Sequence, residues 1–386
     1  MDFPLAGLKV LDLSRVLAGP FAGRMLADLG ADVVKVEPPD GDLTRLWGAT
    51  PGGVPGYFHQ QNAGKRDICV DLTKPAGVEV VKRLAKKADV VIENFRPGVL
   101  RRLGLGYEVL KTLREDIVLL SISGFGQQGP ESRRSAYAAA IHAESGLVRR
   151  QARDGRPPAD IQMSVADTNA ALHGLVAALS ALLMRDRTGV GQHIDIAMLD
   201  TMLVTDDQLH YDLEDSRDTA PQLSEIWPTG AGAVLIAGDF RHVWRQLATR
   251  MGVADPTPPG APLADKIHFR RSAAAAFFAS LASKDEVREA MESMNLAWGD
   301  VRSSADVRES PTVRHRGSIA DVDDRAGGTR PITQSPYRFS NAASGVRGVA
   351  PHRGEHNAAV LVDWLGCSDA DIACWRNDGV LLENTP

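Results

Sequence analysis

A single carboxylate, Asp167, stands in the stretch IQMSVADTNAALHG, between an apolar run and a series of small helix-forming residues. Aspartate is a favoured N-cap, so a helix that begins near Thr168 would explain the residue structurally. A carboxylate at a helix N-terminus among small side chains could also attack a substrate carbonyl and carry a covalent intermediate. The residues by themselves leave both interpretations open.

Other catalytic groups are sparse around this aspartate. His142 and His173 are the nearest histidines, and each could serve as a base or form a structural hydrogen bond. The sequence has no HExxH motif, no GxSxG motif and no cluster of metal ligands, so we expect no metal site. The three cysteines, Cys69, Cys367 and Cys374, form no CxxC pair and predict neither a disulfide framework nor zinc.

Two regions have residues suited to an anionic ligand. The stretch SRVLAGPFAG contains glycines that could let the backbone approach a phosphate, but their spacing is not GxGxxG and favours a tight strand-to-helix turn over a ligand site. The stretches NAGKR and ENFRPGVLRR supply Lys65, Arg66, Arg96, Arg101 and Arg102 near predicted strand ends. Arginine suits bidentate phosphate binding, and a solvated helix face is the alternative.

Alternating apolar segments predict the elements that would hold these residues. Strands are predicted at 8–14, 32–39, 66–72, 89–95, 117–126 and 191–199, and helices at 15–31, 75–88, 97–114 and 171–189. Strands that alternate with helices indicate an α/β fold with a parallel sheet, doubly wound and Rossmann-like. Ligands of such sheets bind beyond the carboxyl ends of the strands, where most of the candidate residues lie.

Changes in composition suggest how the chain is divided. Residues 1–204 would form the large domain, and 205–224, acidic and rich in turn residues, would be a linker. Residues 225–320 would form a smaller α/β domain. Residues 321–386 would be a second linker and a C-terminal segment that returns to the large domain.

Composition also restricts the function. The 386 residues carry a formal net charge of −5, whereas nucleic-acid-binding domains usually have a basic surface, so we expect no nucleic-acid partner. No run of 18 apolar residues predicts a membrane span, and the start shows no basic region followed by an apolar one. A cytoplasmic enzyme is the expectation.

Several long stretches, taken in order, resemble the class III CoA-transferases, the family of formyl-CoA transferase and carnitine CoA-transferase. The resemblance is dense over 5–204 and thinner beyond. It rests on LAGLKVLDLSRVLAGPFAGRMLADLGADVVKVEPPDGD, NAGKRDICVDL, ADVVIENFRPGVLRRLGLGYEVL, SISGFGQQGP, VADTNAALHGLVAALSALLMRDRTGVGQHIDIAMLD and the late GEHNAAVLVDWLG. The related α-methylacyl-CoA racemases use the same fold.

The resemblance implies a set of roles. The family's catalytic aspartate falls on Asp167, which would form a mixed anhydride and then an aspartyl-CoA thioester. It further implies that acyl-CoA and a carboxylic acid are substrates, that no cofactor is tightly bound, and that two chains form an interlocked homodimer. Coenzyme A would be bound by Arg15, Val16, Ala18, Lys65, Asn94, Phe95, Arg96, Arg102 and Tyr137.

Some residues differ from the family pattern. The racemases have a histidine where this chain has Tyr137, and a tyrosine is a poor base at pH 7, which favours CoA transfer over racemisation. Ala138 replaces a residue that is often acidic, and 205–225 lacks the glycine-rich loop that covers the transferase site; WPTGAG at 227–232 is the nearest candidate. A racemase or a non-catalytic acyl-CoA-binding protein are the alternatives.

Overall fold

The computed structural model describes residues 2–152, 157–219 and 224–383. Its contacts divide the chain into two compact units, one made of Met1–Asp207 with Thr312–Pro386 and the other of Gln208–Pro311. The second unit is therefore an insertion between two parts of the first.

The second unit, Gln208–Pro311, begins and ends earlier in the sequence than the predicted second domain, 225–320. Within the predicted linker, 205–224, Leu209–Leu213 is a helix and Arg217–Thr219 a 3-10 turn, while 220–223 lie outside the described residues. At the other end, residues 312–320 belong to the first unit, in which Ile319 pairs with Thr333 in a hairpin. The predicted domain limits stay a prediction.

Twelve strands and sixteen helices are assigned in the described residues. The strands are β1 (Lys9–Asp12), β2 (Asp32–Glu37), β3 (Arg66–Val70), β4 (Val90–Glu93), β5 (Val118–Ser123), β6 (Gln192–Ala197), β7 (Ser224–Thr229), β8 (Gly232–Ala237), β9 (Ala297–Asp300), β10 (Ile319–Asp323), β11 (Thr329–Thr333) and β12 (Leu381–Leu382). The first eight helices are α1 (Ala18–Asp28), α2 (Gly56–Asn62), α3 (Pro75–Ala85), α4 (Val99–Arg102), α5 (Tyr107–Leu113), α6 (Ala138–Glu144), α7 (Leu147–Arg150) and α8 (Val165–Thr188). The other eight are α9 (Met198–Thr205), α10 (Leu209–Leu213), α11 (Phe240–Arg250), α12 (Leu263–Ser280), α13 (Lys284–Ser293), α14 (Pro311–His315), α15 (Asn357–Leu365) and α16 (Asp369–Asn377).

A seven-stranded sheet forms the centre of the first unit, in the order β12-β3-β2-β1-β4-β5-β6. The six strands β1 to β6 pair in parallel, as a doubly wound fold requires, whereas β12 is antiparallel to β3. The order reverses between β1 and β4, so the chain leaves these two strands toward opposite faces. Such a reversal opens a crevice at the carboxyl ends of the two strands.

Apolar side chains cover both faces of this sheet. One core combines Leu11, Val34 and Ile68 of the sheet with α3, α5 and α15, and the other combines Val10 and Val33 with α1 and α8. Because both faces are buried at the inner strands, these strands are largely apolar, whereas the residues of the edge strand β6 alternate between polar and apolar.

All six predicted strands contain an observed one, but the predicted helix over 97–114 differs. Residues 97–114 form two short helices, α4 and α5, because Gly104 between them has a left-handed φ of 71°. The end of the chain, α16 followed by β12, returns to the first unit and extends its sheet.

Helix α8 is the one helix of the described residues that is long and apolar enough to span a membrane, and 44% of its most apolar window is buried. It packs on β5, β6 and α1, which accounts for much of its apolar composition. The helix begins at Val165, earlier than expected, and ends before Gly189, whose φ of 71° gives the predicted C-cap.

The second unit has a three-stranded antiparallel sheet, β7-β8-β9, packed against α11, α12 and α13 around a core that includes Trp227 and Phe278. The predicted lid, 227–232, is the end of β7 and its turn into β8. A Cβ at Gly230 would lie 2.9 Å from the carbonyl oxygen of Leu281, so this turn is packed closely on its own unit. Residues 227–232 are therefore a strand end and a tight turn of the second unit.

Candidate active site

Asp167 is the third residue of α8, not its N-cap, which is Ser164. The backbone N–H groups of Ala18 and Ala138, and its own N–H, lie near its carboxylate and act to lower the pKa of the carboxyl. Ala18 is the first residue of α1, and Ala138 is the first residue of α6. The carboxylate therefore lies where the first turns of three helices meet, so that their free N–H groups point at it.

Burial raises the pKa of the Asp167 carboxyl to about 6, against the lowering effect of these N–H groups. Desolvation of the carboxylate thus outweighs the helix dipole and the nearby N–H groups, both of which favour its ionised form. The carboxylate is still mainly ionised at pH 7. Its raised pKa makes it a stronger nucleophile than an exposed aspartate.

A recess of about 120 Å³ opens beside this carboxylate. It lies at the carboxyl ends of β1, β4 and β5, at the reversal of strand order. Seven residues predicted to bind CoA line it together with Asp167, namely Arg15, Val16, Ala18, Asn94, Phe95, Arg96 and Tyr137. The structure thus brings together most of the predicted site.

The loops after β1 and β4 are tied to each other across the recess. The N–H of Arg15 donates to the side-chain oxygen of Asn94 at 2.9 Å, and the Asn94 amide donates back to the Arg15 carbonyl at 2.8 Å. A Cβ at Gly19 would lie 2.1 Å from Cβ of Ser14, so this glycine permits a tight strand-to-helix turn. The glycines therefore have the structural role that was the alternative to phosphate binding.

Lys65 is predicted to bind CoA, but it does not line the recess. Its ammonium is completely buried and makes three hydrogen bonds, to Asp12 at 2.8 Å, to the Pro20 carbonyl at 2.8 Å and to Asn62 at 2.9 Å. Burial lowers the pKa of Lys65 to about 8, opposed mainly by Asp12. All three N–H groups are occupied, so Lys65 holds the end of β1 in place through Asp12, and direct CoA binding by Lys65 stays a prediction.

Arg102 lines a neighbouring groove of about 870 Å³, which shares Arg96 and Pro97 with the recess. On its floor, Ser121 Oγ lies 2.9 Å from Nε2 of His193 and hydrogen-bonds the buried Glu93 carboxyl. Burial raises the pKa of Glu93 to about 7, although its oxygen also accepts the N–H of Phe95 at 2.8 Å. Arg101 and Arg133 line the same groove, which makes its rim cationic.

His142 has a structural role. It is buried, its Nδ1 lies 2.8 Å from a carboxylate oxygen of Asp160, and its Nε2 accepts the N–H of Ala166 at 3.2 Å. The imidazole therefore holds the first turn of α8, next to Asp167, and its lone pair is not free to act as a base.

The sequence interpretation missed several residues of this region. The charge of Asp167 and, above all, burial raise the pKa of the Tyr57 hydroxyl to about 12, which places this residue close to the catalytic candidate. Tyr57 lies in a short helix, α2, that does not directly follow a strand. A search for ligand-binding residues at the carboxyl ends of strands could therefore not find it. The recess also contains Ser123, Gly124, Arg134 and Met198.

Among the residues that the structure describes, no group of three or more His, Cys, Asp or Glu could hold a metal ion. A desolvated carboxylate, backbone donors and a cationic rim, placed at the strand-order reversal of an α/β sheet, define an enzyme that binds an anionic substrate and can form a covalent bond through a carboxylate.

Comparison with known proteins identifies that class. Residues 5–357 match CoA-transferase family III, and the chain belongs to this family. It is 33% identical to succinate–glutarate CoA-transferase of Agrobacterium fabrum over 93% of this chain and 95% of that protein. It is 32% identical to succinyl-CoA–D-citramalate CoA-transferase of Chloroflexus aurantiacus, with 96% of both chains covered. The protein is thus a CoA-transferase.

A solved structure shares the fold. A CAIB/BAIF family protein from Brucella suis is 33% identical and superimposes with a TM-score of 0.82, over 94% of this chain and all of that one.

Proposed function

We propose that this enzyme transfers CoA from an acyl-CoA to a carboxylic acid through covalent intermediates on Asp167. The observation that carries the proposal is the Asp167 carboxylate, partly desolvated and surrounded by backbone N–H donors in a recess at the strand-order reversal. A carboxylate in this setting is a nucleophile that needs no separate base, since it is already mainly ionised at neutral pH.

The proposed reaction has two symmetrical halves. In the first, an Asp167 oxygen attacks the thioester carbonyl, the C–S bond breaks, and CoA leaves as a thiolate from a mixed anhydride. The thiolate then attacks the Asp167 carbonyl, the donor acid leaves as a carboxylate, and an aspartyl-CoA thioester remains. In the second half the acceptor carboxylate displaces CoA, and the thiolate attacks the acceptor's acyl carbonyl, which frees Asp167.

Each of these attacks creates a tetrahedral centre with a negative oxygen. The N–H groups of Ala18 and Ala138, which hold the Asp167 carboxylate in the resting enzyme, are positioned to stabilise the negative charge on its oxygen when the aspartyl carbonyl is attacked. They are fixed by helix geometry, so no reorganisation is needed during the reaction.

For the substrate we propose that CoA lies along Arg15, Val16, Ala18, Asn94, Phe95 and Tyr137, with Arg96 and Arg102 on its phosphates. Arg96 lines both the recess and the larger groove, so a long ligand could pass from one to the other. Guanidinium groups are suited to bidentate phosphate binding. The acyl-CoA is a substrate that is released in each cycle, so no tightly bound cofactor is required.

For the acceptor we propose a small dicarboxylate. The names of the two similar transferases contain succinate, glutarate and citramalate. In the recess, the guanidinium group of Arg15 could bind the second carboxylate of such a molecule. A screen of acyl-CoA donors against glutarate and its monocarboxylate counterpart valerate, read by mass spectrometry, tests this; transfer to valerate at an equal rate would contradict it.

We also propose that the enzyme is a homodimer, interlocked as the family resemblance implies, in the cytoplasm and without a membrane or nucleic-acid partner. Helix α8 leaves Leu172, Val176 and Leu183 exposed at helical spacing, to 41%, 64% and 66%. An apolar stripe of this kind is typical of a protein interface. The three cysteines are free thiols, as in a reducing compartment.

Incubation of the enzyme with an acyl-CoA alone, followed by hydroxylamine, tests the covalent steps. We expect a hydroxamate on Asp167, found by peptide mass spectrometry, and complete loss of transfer in Asp167→Ala. Full activity of that variant would refute the mechanism. Exchange of the substrate α-proton with deuterated water, without any acceptor acid, would instead indicate a racemase.

A further inference from the structure

Val16 adopts a backbone conformation that its side chain disfavours. Its φ is 68°, in the left-handed region, where a β-branched residue is strained. It lines the recess and lies in the loop between β1 and α1. Such a conformation persists only when surrounding contacts hold it.

A buried ion pair supplies these contacts. The Asp42 carboxylate accepts the N–H of Val16, with oxygen distances of 3.1 and 3.3 Å. The Lys35 ammonium donates to Asp42 at 3.1 Å and to the carbonyl of Ser14 at 2.8 Å. Thr44 fixes the other side of Asp42 through its N–H at 3.0 Å and its hydroxyl at 2.8 Å.

The pair is built to remain charged. Both side chains are 1% exposed, so neither charge is stabilised by water. Lys35 lowers the pKa of Asp42 to about 2 against the effect of burial, and Asp42 holds the pKa of Lys35 above its usual range. A replaced partner would leave an unpaired charge in the interior.

The position of Val16 connects this pair to the candidate nucleophile. Val16 lies two residues before Ala18, and both residues line the same recess as Asp167, where the Ala18 N–H acts to lower the pKa of the Asp167 carboxyl. The pair holds the loop at the Ser14 carbonyl and at the Val16 N–H, on both sides of Arg15. A relaxed Val16 would turn the peptide that leads into α1 and move the Ala18 N–H.

We propose that the Lys35–Asp42 ion pair is a positioning element of the transferase reaction, which holds Val16 in the left-handed conformation and thereby directs the Ala18 N–H at Asp167. The inference rests on the proposed role of Asp167. Neither Lys35 nor Asp42 lines the recess, so both act through the loop.

The test replaces the pair as a unit. Lys35→Met/Asp42→Leu removes both charges, which for buried pairs is often neutral in stability. We expect kcat to fall about 10- to 100-fold, which is at or below the effect of removing one hydrogen-bond donor from an oxyanion hole. We also expect the acid limb of the pH profile to move upward, because Asp167 loses a donor that lowers its pKa.

Glycine at position 16 provides the decisive comparison. Because glycine adopts positive φ without strain, the pair replacement should lower kcat less than about threefold in a Val16→Gly background. Equal losses in both backgrounds would overturn the inference. A second comparison keeps the ion pair intact. The melting temperature of Val16→Gly should be higher than that of Val16→Ala, and the reverse order would count against backbone strain at this position.

A matched control is the buried Arg24–Asp28 pair, whose side chains are 0% and 1% exposed and which lies away from the loop. Arg24→Met/Asp28→Leu should leave kcat and the pH profile unchanged. If Asp167→Ala is inactive while the Lys35–Asp42 replacement changes neither kcat nor the acid limb, the inference fails and the proposed function stands. If Asp167→Ala is active, the proposed function fails.

Discussion

The backbone N–H of Ala18 lies near the carboxylate of Asp167 and acts to lower the pKa of that carboxyl, so the start of α1 meets the first turn of α8. The contact makes the first crossover helix of the sheet a direct participant in the candidate site. The nucleophile therefore depends on two helices whose starts are far apart in the sequence, and a change in either should affect the reaction.

The pH dependence of the reaction should reveal the ionisation of Asp167. Because burial raises the pKa of this carboxyl to about 6, kcat/KM should fall about tenfold per pH unit below pH 6 and level off above it. The release of CoA from the donor alone isolates this step from the ionisation of the acceptor acid. An acid limb near pH 4 would contradict the desolvated carboxylate.

Asp167→Asn should stabilise the protein at pH 8. The carboxyl has a pKa of about 6 in the folded state against 3.8 for an unperturbed group, so its favourable contribution is complete below pH 4 and is lost as the pH rises through 6. After allowance for partial exposure, the gain at pH 8 should be on the order of 1 kcal/mol. Thermal melts at pH 4 and 8 measure it, with exposed Asp186→Asn on the same helix as the control.

Lys65 should matter for stability and not for CoA affinity. Lys65→Met leaves the Asp12 carboxylate buried without its partner and should cost about 3–5 kcal/mol of unfolding free energy. Lys65→Met/Asp12→Asn should recover much of that loss. The KM for acyl-CoA of the double variant should stay within a factor of about three of the wild-type value; a tenfold rise would restore Lys65 as a CoA ligand.

Charges on the exposed stripe of α8 should separate the proposed dimer. Val176→Lys and Leu183→Lys place an ammonium where a partner would bury an apolar side chain, so sedimentation analysis should show a monomer. Val362→Lys, on the half-exposed surface of α15, is the control and should keep the wild-type mass. A dimer in all three variants would place the interface elsewhere.

The sequence could predict the sheet because each strand is an apolar run bounded by helices and turns. It could also predict that Arg15, Asn94 and Phe95 meet, since all three follow strand ends that lie side by side. It could not predict that α8 begins at Val165, so that Ser164 and not Asp167 is the N-cap. That boundary depends on contacts such as the hydrogen bond from Ala166 to His142.

The burial of charged side chains was the other feature that could not be predicted from the sequence. Lys65 follows a turn and precedes a strand, a position where a lysine is commonly solvated. Its partner Asp12 ends β1, which is not even adjacent to β3 in the sheet. Only the packing of α1 over this region brings the two charges together, and no spacing in the chain indicates it.

The edge strand β12 has a consequence for biosynthesis. It completes the sheet by pairing with Cys69 and Val70, and the nearby Val360, Leu361 and Trp364 fill the core on one face of the same sheet. While the ribosome is still making the inserted unit, β3 is an open edge beside an incomplete core. The nascent chain therefore exposes an unpaired strand edge and apolar side chains from the synthesis of β3 until that of β12. Chaperone binding to β3 and α3 should be strongest in that interval.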